Sequence, residues 1–174
     1  MNKSQKILVI IITVAVLATV GYFAYSQFNA LKTQEYLKTS QNLKDNATAY
    51  FDQAVAYENA GDYENAITTY QKSDGEVRKA LNNNSQALAS ADGVYREYLD
   101  NDIKLLEKLA QLIEYKIYLN RVYNNSLNPG QETVPPSMLF PYIDNLTRDV
   151  SVLKEEENQI IKNNPDAFTF LGST

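Results

Sequence analysis

The sequence predicts an all-α protein in which an N-terminal transmembrane helix is followed by an antiparallel helical bundle. Three observations predict it. Ile7–Tyr25 is a run of nineteen residues without a charge. Apolar residues recur at spacings of three and four through most of the remaining chain, as on the buried face of a helix. The helical runs are joined by short connections rich in Gly, Pro and Asn, which make sequential helices antiparallel neighbours.

The first run contains only two threonines and two tyrosines as polar side chains. At 1.5 Å per residue a helix of this length spans roughly 28 Å, close to the ~30 Å hydrocarbon core of a bilayer. In water a helix that is apolar all round has to be buried, and the polar remainder of the chain is poorly suited to wrap it. Residues 1–6 carry Lys3 and Lys6 and no acid. Positive flanks stay cytoplasmic, so the expected topology is a short cytoplasmic N-terminus at 1–6, a signal anchor at 7–25 and an extracytoplasmic domain at 26–165. Tyr22, Phe23 and Tyr25 have the character of an interfacial belt. The rival reading is a cleaved signal peptide, for which Val16-Leu17-Ala18 offers a small-residue site. Both readings export the domain.

Composition excludes several chemistries. The chain has no cysteine and no histidine, which removes disulfides, Cys/His zinc sites, thiol catalysis and any Ser-His-Asp arrangement. Of its 16 basic residues two precede the apolar run, which leaves 14 against 21 acids, a net of −7. An acidic domain without a basic stripe is a poor partner for nucleic acid and for an anionic lipid surface.

Between Ser26 and Ala60 there is no proline or glycine, and Phe28, Leu31, Leu37, Leu43, Ala47, Tyr50, Phe51, Ala54 and Tyr57 keep helical spacing. A helix leaving the membrane and entering the domain is expected, with a soft break near Ser40–Asn46 where Asp45 or Asn46 can cap a second start. Gly61 suits a left-handed helix end, and Asp62 suits the cap of the next helix. Tyr50, Ala54, Tyr57, Gly61, Asp62, Tyr63, Ala66 and Tyr70 then follow one another in a pattern of aromatic and small residues about 30 residues long, the length of one repeat. In this pattern the segment 46–73 resembles a tetratricopeptide repeat, in which a Gly-Asp-aromatic turn joins helix A to helix B. The resemblance implies a helical hairpin that binds protein or peptide, with Tyr50, Tyr57, Tyr63 and Tyr70 as the interaction surface. A plain helical hairpin inside a bundle is the alternative reading of the same residues.

Further along, Asp74-Gly75 weakens the second helix, and Asn82-Asn83-Asn84-Ser85 reads as a loop. Gln86–Tyr123 is the longest helical run. Leu99, Ile103, Leu106, Ala110, Ile113 and Ile117 keep heptad spacing, while Leu105, Leu109, Leu112 and Leu119 widen the stripe enough to face two neighbours. Asn124–Ser137, with Pro129-Gly130 and Pro135-Pro136, reads as a loop. Leu139–Asn163 is the last helix, with Pro141 accommodated in its first turn, and Asn164-Pro165 stops it. Residues 166–174 form a tail whose Phe168, Phe170 and Leu171 either tuck against the bundle end or stay disordered.

Candidate chemistry is sparse. Tyrosine stripes at helical spacing belong to cores more often than to cofactor boxes. Asp100/Asp102 and Glu155-Glu156-Glu157 point in different directions on a helix, so no metal site, cofactor site or catalytic residue is assigned. Asn-x-Ser/Thr occurs at Asn46, Asn83, Asn124 and Asn145, glycan acceptors if the host modifies exported proteins. The expected function is a non-enzymatic, membrane-tethered interaction or scaffold module. A sensor or solute-binding bundle and a self-associating envelope subunit are the alternatives.

Overall fold

The computed structural model describes the backbone of residues 3–127 and 133–171, and the side chains of these except at 3–16, 23 and 26. Among the described residues the chain is all-helical, with no strand. Helices α1 (Lys3–Asn59), α2 (Tyr63–Leu88), α3 (Gly93–Tyr123) and α4 (Pro136–Asn163) are followed by two single turns of 3₁₀ helix, Pro165–Ala167 and Thr169–Leu171. Each helix packs on the next, α1 on α2, α2 on α3 and α3 on α4, whereas α1 and α4 do not pack face to face.

The α1/α2 hairpin turns at Gly61, whose φ of 76° lies where a side chain is strained. The Asp62 carboxylate accepts from the Asn65 backbone amide at 3.3 Å and from the Asn65 side chain at 2.7 Å, which satisfies one of the free donors at the start of α2. Ala47, Ala54, Ala66 and Ala80 are fully buried along this hairpin. Their small size lets the helices approach closely enough for the Ser73 hydroxyl to donate to the Ala47 carbonyl at 2.7 Å. Tyr70, Val77, Leu106, Ala110 and Ile113 complete this core. Leu37, Tyr98, Leu99 and Phe168 form a second cluster at the end where α1 enters the bundle, and Leu112, Leu119, Leu139, Ile143 and Leu146 seal α3 to α4.

Several boundaries differ from the sequence expectation. There is no break at Ser40–Asn46: α1 runs through it, with Ser40 buried and Gln41 donating to Asp45 across one turn. The Asn82–Ser85 loop is also absent, because α2 continues to Leu88. Asn83 donates to the Tyr36 carbonyl and Asn84 to Asp102, so these residues with a local turn preference are held helical by partners on other helices, while Ser85 donates back to the Leu81 carbonyl one turn away. The turn falls instead at Ala89–Asp92, and α3 starts at Gly93, with φ 51°, rather than at Gln86. Helix α4 starts at Pro136, three residues before the expected Leu139. Pro141 therefore lies in the second turn, not the first, where it removes one backbone hydrogen bond from an exposed helix face. The tail packs through Leu171: Phe168 is buried, and its ring lies 5.1 Å from that of Tyr98.

Toward its N-terminus α1 stands clear of the bundle. From Leu17 to Lys32 every described side chain is exposed except the half-buried Asn29 and Ala30. Among the described residues no helix is long and apolar enough to cross a membrane. Most of the predicted span Ile7–Tyr25 and of the predicted segment 1–6 falls on side chains outside the described residues, as do the Pro129-Gly130 turn and residues 172–174.

Replacing the fully buried Ile113 by alanine is expected to destabilise the fold by about 2–5 kcal/mol, whereas Leu109→Ala, on the half-buried flank of the same helix, loses less. Equilibrium chemical unfolding of the two variants measures the difference, and equal losses would contradict this account of the core.

Candidate functional site

A buried polar hub joins all four helices. Lys44 (α1) donates to Asp102 (α3) at 2.9 Å, to Glu157 (α4) at 2.6 Å and to the Tyr98 hydroxyl (α3) at 3.3 Å. Tyr98 donates to the same Glu157 oxygen at 2.8 Å, and Asn84 (α2) donates to the second oxygen of Asp102 at 2.8 Å. Asp102, Asn84 and Tyr98 are essentially inaccessible, and Glu157 is 6 % exposed. Glu157 Oε2 is buried without a hydrogen-bond partner.

The hub holds two carboxylates against one ammonium, and its titration reflects that imbalance. Burial would push the Lys44 ammonium down, but the charges of Asp102 and Glu157 and their hydrogen bonds outweigh it and hold its pKa above the ordinary value. Burial pushes the Glu157 carboxyl up; the Asp102 charge adds to this, and Lys44 offsets only part of it. Burial also carries the Tyr98 phenol well above its usual range, with the two carboxylate charges reinforcing it.

A second polar cluster lies toward the α1/α2 turn. Glu58 accepts from Lys116 at 2.9 Å, from Tyr70 at 2.9 Å and from Asn120 at 3.0 Å. Here one carboxylate meets one ammonium.

Between the two clusters, in the gap left by α1 and α4, runs a groove of about 660 Å³. Its floor is Leu105, Leu109 and Leu112 of α3; its walls are Phe51 and Val55 of α1 and Val150 of α4. Gln41, Lys44, Asp45, Lys154, Glu157 and Asn158 gather at one end, and Lys116 lies at the other. From Gln41 to Val55 the α1 wall is about 21 Å long at 1.5 Å per residue. Leu171, from the final 3₁₀ turn, also lines the groove.

The four tyrosines singled out in the sequence do not converge here. Tyr70 is fully buried, hydrogen-bonded to Glu58 and in edge contact with Phe51. Tyr57 is half-buried against the α1/α2/α3 core, Tyr50 lies beneath Lys72, and Tyr63 packs on Tyr123 at 5.2 Å between ring centres. None of the four lines the groove. Of the glycan acceptors, Asn46, Asn124 and Asn145 are exposed, while Asn83 is half-buried. Asn46 and Asn145 lie within helices, and Asn124 follows the end of α3. Among the described residues no three acidic side chains converge as a metal site.

Sequence reasoning missed both the hub and the groove. The groove did leave a signal, the widened stripe on α3 whose Leu105, Leu109 and Leu112 face beyond the α2 contact. Glu157, an acid interrupting the apolar spacing of α4, was the trace of the hub. No protein-family model, curated protein or solved structure matches this chain.

The folded-state pKa of Glu157 lies above its ordinary 4.5, so the folded protein holds this proton where the unfolded chain releases it. Its contribution to stability is therefore fully present below pH 4.5 and is lost as pH rises through the raised folded value. Glu157→Gln is expected to flatten the fall in unfolding free energy as pH rises from 4.5 toward neutrality. Urea unfolding at stepped pH measures this, and identical slopes in the two proteins would exclude Glu157 as the source.

Proposed function

We propose that this protein is a non-enzymatic binding module, tethered to a membrane by its N-terminal apolar helix, with the α1/α3/α4 groove as its working surface. The observation that carries this reading is the groove itself. It is a concave site of ligand-sized volume between helices, walled by apolar side chains, with several polar groups gathered at one end. A titratable group displaced from its ordinary behaviour, Glu157, lies at that end, as is common at functional sites. The non-enzymatic reading is supported by the way Lys44, Asp102, Tyr98 and Asn84 use their hydrogen bonds on one another, tying helices together.

This shifts the working surface from the tyrosines to the groove and favours ligand binding over a tetratricopeptide-type protein contact. The tetratricopeptide-like turn then serves to set α1 against α2. The tether is supported by the uncharged run Ile7–Tyr25 and by the exposed apolar residues Leu17, Val20, Tyr22, Tyr25, Phe28 and Leu31 on a stretch of α1 that no part of the bundle covers. Lys3 and Lys6 ahead of the run favour a domain outside the cytoplasm.

Two measurements test the reading. Full-length protein in lipid nanodiscs is expected to bind the neutral apolar dye N-phenylnaphthylamine above the level of empty discs. Filling the groove with Leu109→Trp and Val150→Trp is expected to abolish that excess without loss of helicity; retained binding would move the site elsewhere. Separately, protease added to intact cells is expected to digest the domain. Protection until lysis, in a preparation where lysed cells are digested, would reverse the topology.

A further inference from the structure

We infer that the groove takes a single-chain amphiphile with a primary ammonium head group, seated at the Lys44–Glu157 end with its alkyl chain along Leu105, Leu109 and Leu112. The inference rests on the groove being the binding surface and adds the chemistry of what fills it.

The two ends of the groove differ in charge balance. At the Lys116 end the single ammonium is matched by Glu58, and the Glu58 carboxylate is further satisfied by Tyr70 and Asn120. At the other end the lining residues Asp45 and Glu157 stand against Lys44 and Lys154, and Asp102, buried behind the lining, pairs with Lys44; with Glu157 ionised, above its raised pKa, this leaves one negative charge in excess. Lys44 is committed to the hub, Lys154 is an exposed side chain of α4, and Asp45 accepts only from the neutral Gln41. A cation therefore suits the buried, Glu157 side of this end.

Hydrogen bonding gives the same answer independently. Glu157 lines the groove and is more than nine-tenths buried, and its Oε2 has no partner. Ionised, it is a buried acceptor left unpaired, which is costly, and the missing group is then a donor. An ammonium has three donors, and both Glu157 and Asp45 line this end of the groove. The rest of the groove offers Phe51 and Val55 on one side and Val150 on the other of a leucine floor, a channel for one chain. The polar end is also the end nearer the exposed N-terminal part of α1, the side from which a membrane-derived amphiphile would arrive.

The test uses full-length protein in nanodiscs and three photoreactive probes sharing one diazirine-bearing alkyl chain but ending in ammonium, carboxylate or hydroxyl. Cross-linked residues are mapped by mass spectrometry, so that partition into lipid is separated from groove occupancy. The ammonium probe is expected to label Phe51, Leu109 and Val150 about tenfold more than the carboxylate probe, the ratio a single charge-assisted hydrogen bond provides. Glu157→Gln is expected to bring the ammonium probe down to the level of the hydroxyl probe. Asp45→Asn, at an exposed position with little bearing on folding, is expected to lower it by a smaller factor. Equal labelling by all three probes, stronger labelling by the carboxylate, or no response to either variant would overturn the head-group assignment while leaving the groove as a binding surface. Absence of groove labelling by every probe would overturn the groove reading itself.

Discussion

The three-way contact of Lys44 with Asp102, Glu157 and Tyr98 is the constraint on which the rest of the bundle depends. Taking charges out of water is expensive, and the attraction between them repays it only when geometry and hydrogen bonding are good. Here one ammonium reaches groups from two other helices, and Asn84 adds the fourth through Asp102. Apolar faces slide past one another at little cost, whereas a buried ion pair out of register leaves a charge without a partner. The hub therefore ties α3 and α4 to the α1/α2 hairpin, whose own register is set by the Gly61-Asp62 turn and by Ser73 and Asn83 on the α1 carbonyls.

The same contact explains why the gap between α1 and α4 neither closes nor opens. The two helices share no packed face, and Lys44–Glu157 is a direct bridge between them. A bridge at one end of two unpacked helices leaves a channel along the rest of their length, floored by whatever α3 presents. Because α3 carries a stripe wider than α2 and α4 can cover, that floor is leucine. The site is thus a product of incomplete coverage in the fold.

Much of the architecture was legible from spacing alone. Four helical runs and the Gly61-Asp62 turn follow from periodicity and turn chemistry, which act locally, whereas the tail at Phe168 was open between packing and disorder. The errors occurred where tertiary partners overruled local preference. Asn83 and Asn84 have the composition of a loop, yet both are helical because Tyr36 and Asp102 hold their side chains. The candidate site was less legible. The tyrosines stood out by their spacing, and Tyr70 uses that spacing to enter the core. Lys44 looked like any exposed lysine in a polar stretch, and Asp102 and Glu157 like members of solvated acidic runs. Their meeting depends on pairing residues more than fifty positions apart, which no periodicity reports.

Helix α1 is continuous from Lys3 to Asn59 and has no proline, so the segment that stands clear of the bundle and the wall of the groove are one mechanical body. Gly21 is its one glycine, and it lies far from the hub. A helix without a hinge behaves as a shaft: an axial turn applied near Leu17 meets the bundle first at the buried Thr33, Leu37 and Ser40, with Lys44 next, about 40 Å along the axis. Torque on the N-terminal end therefore bears on the Leu37 cluster before the bond between Lys44 and Glu157.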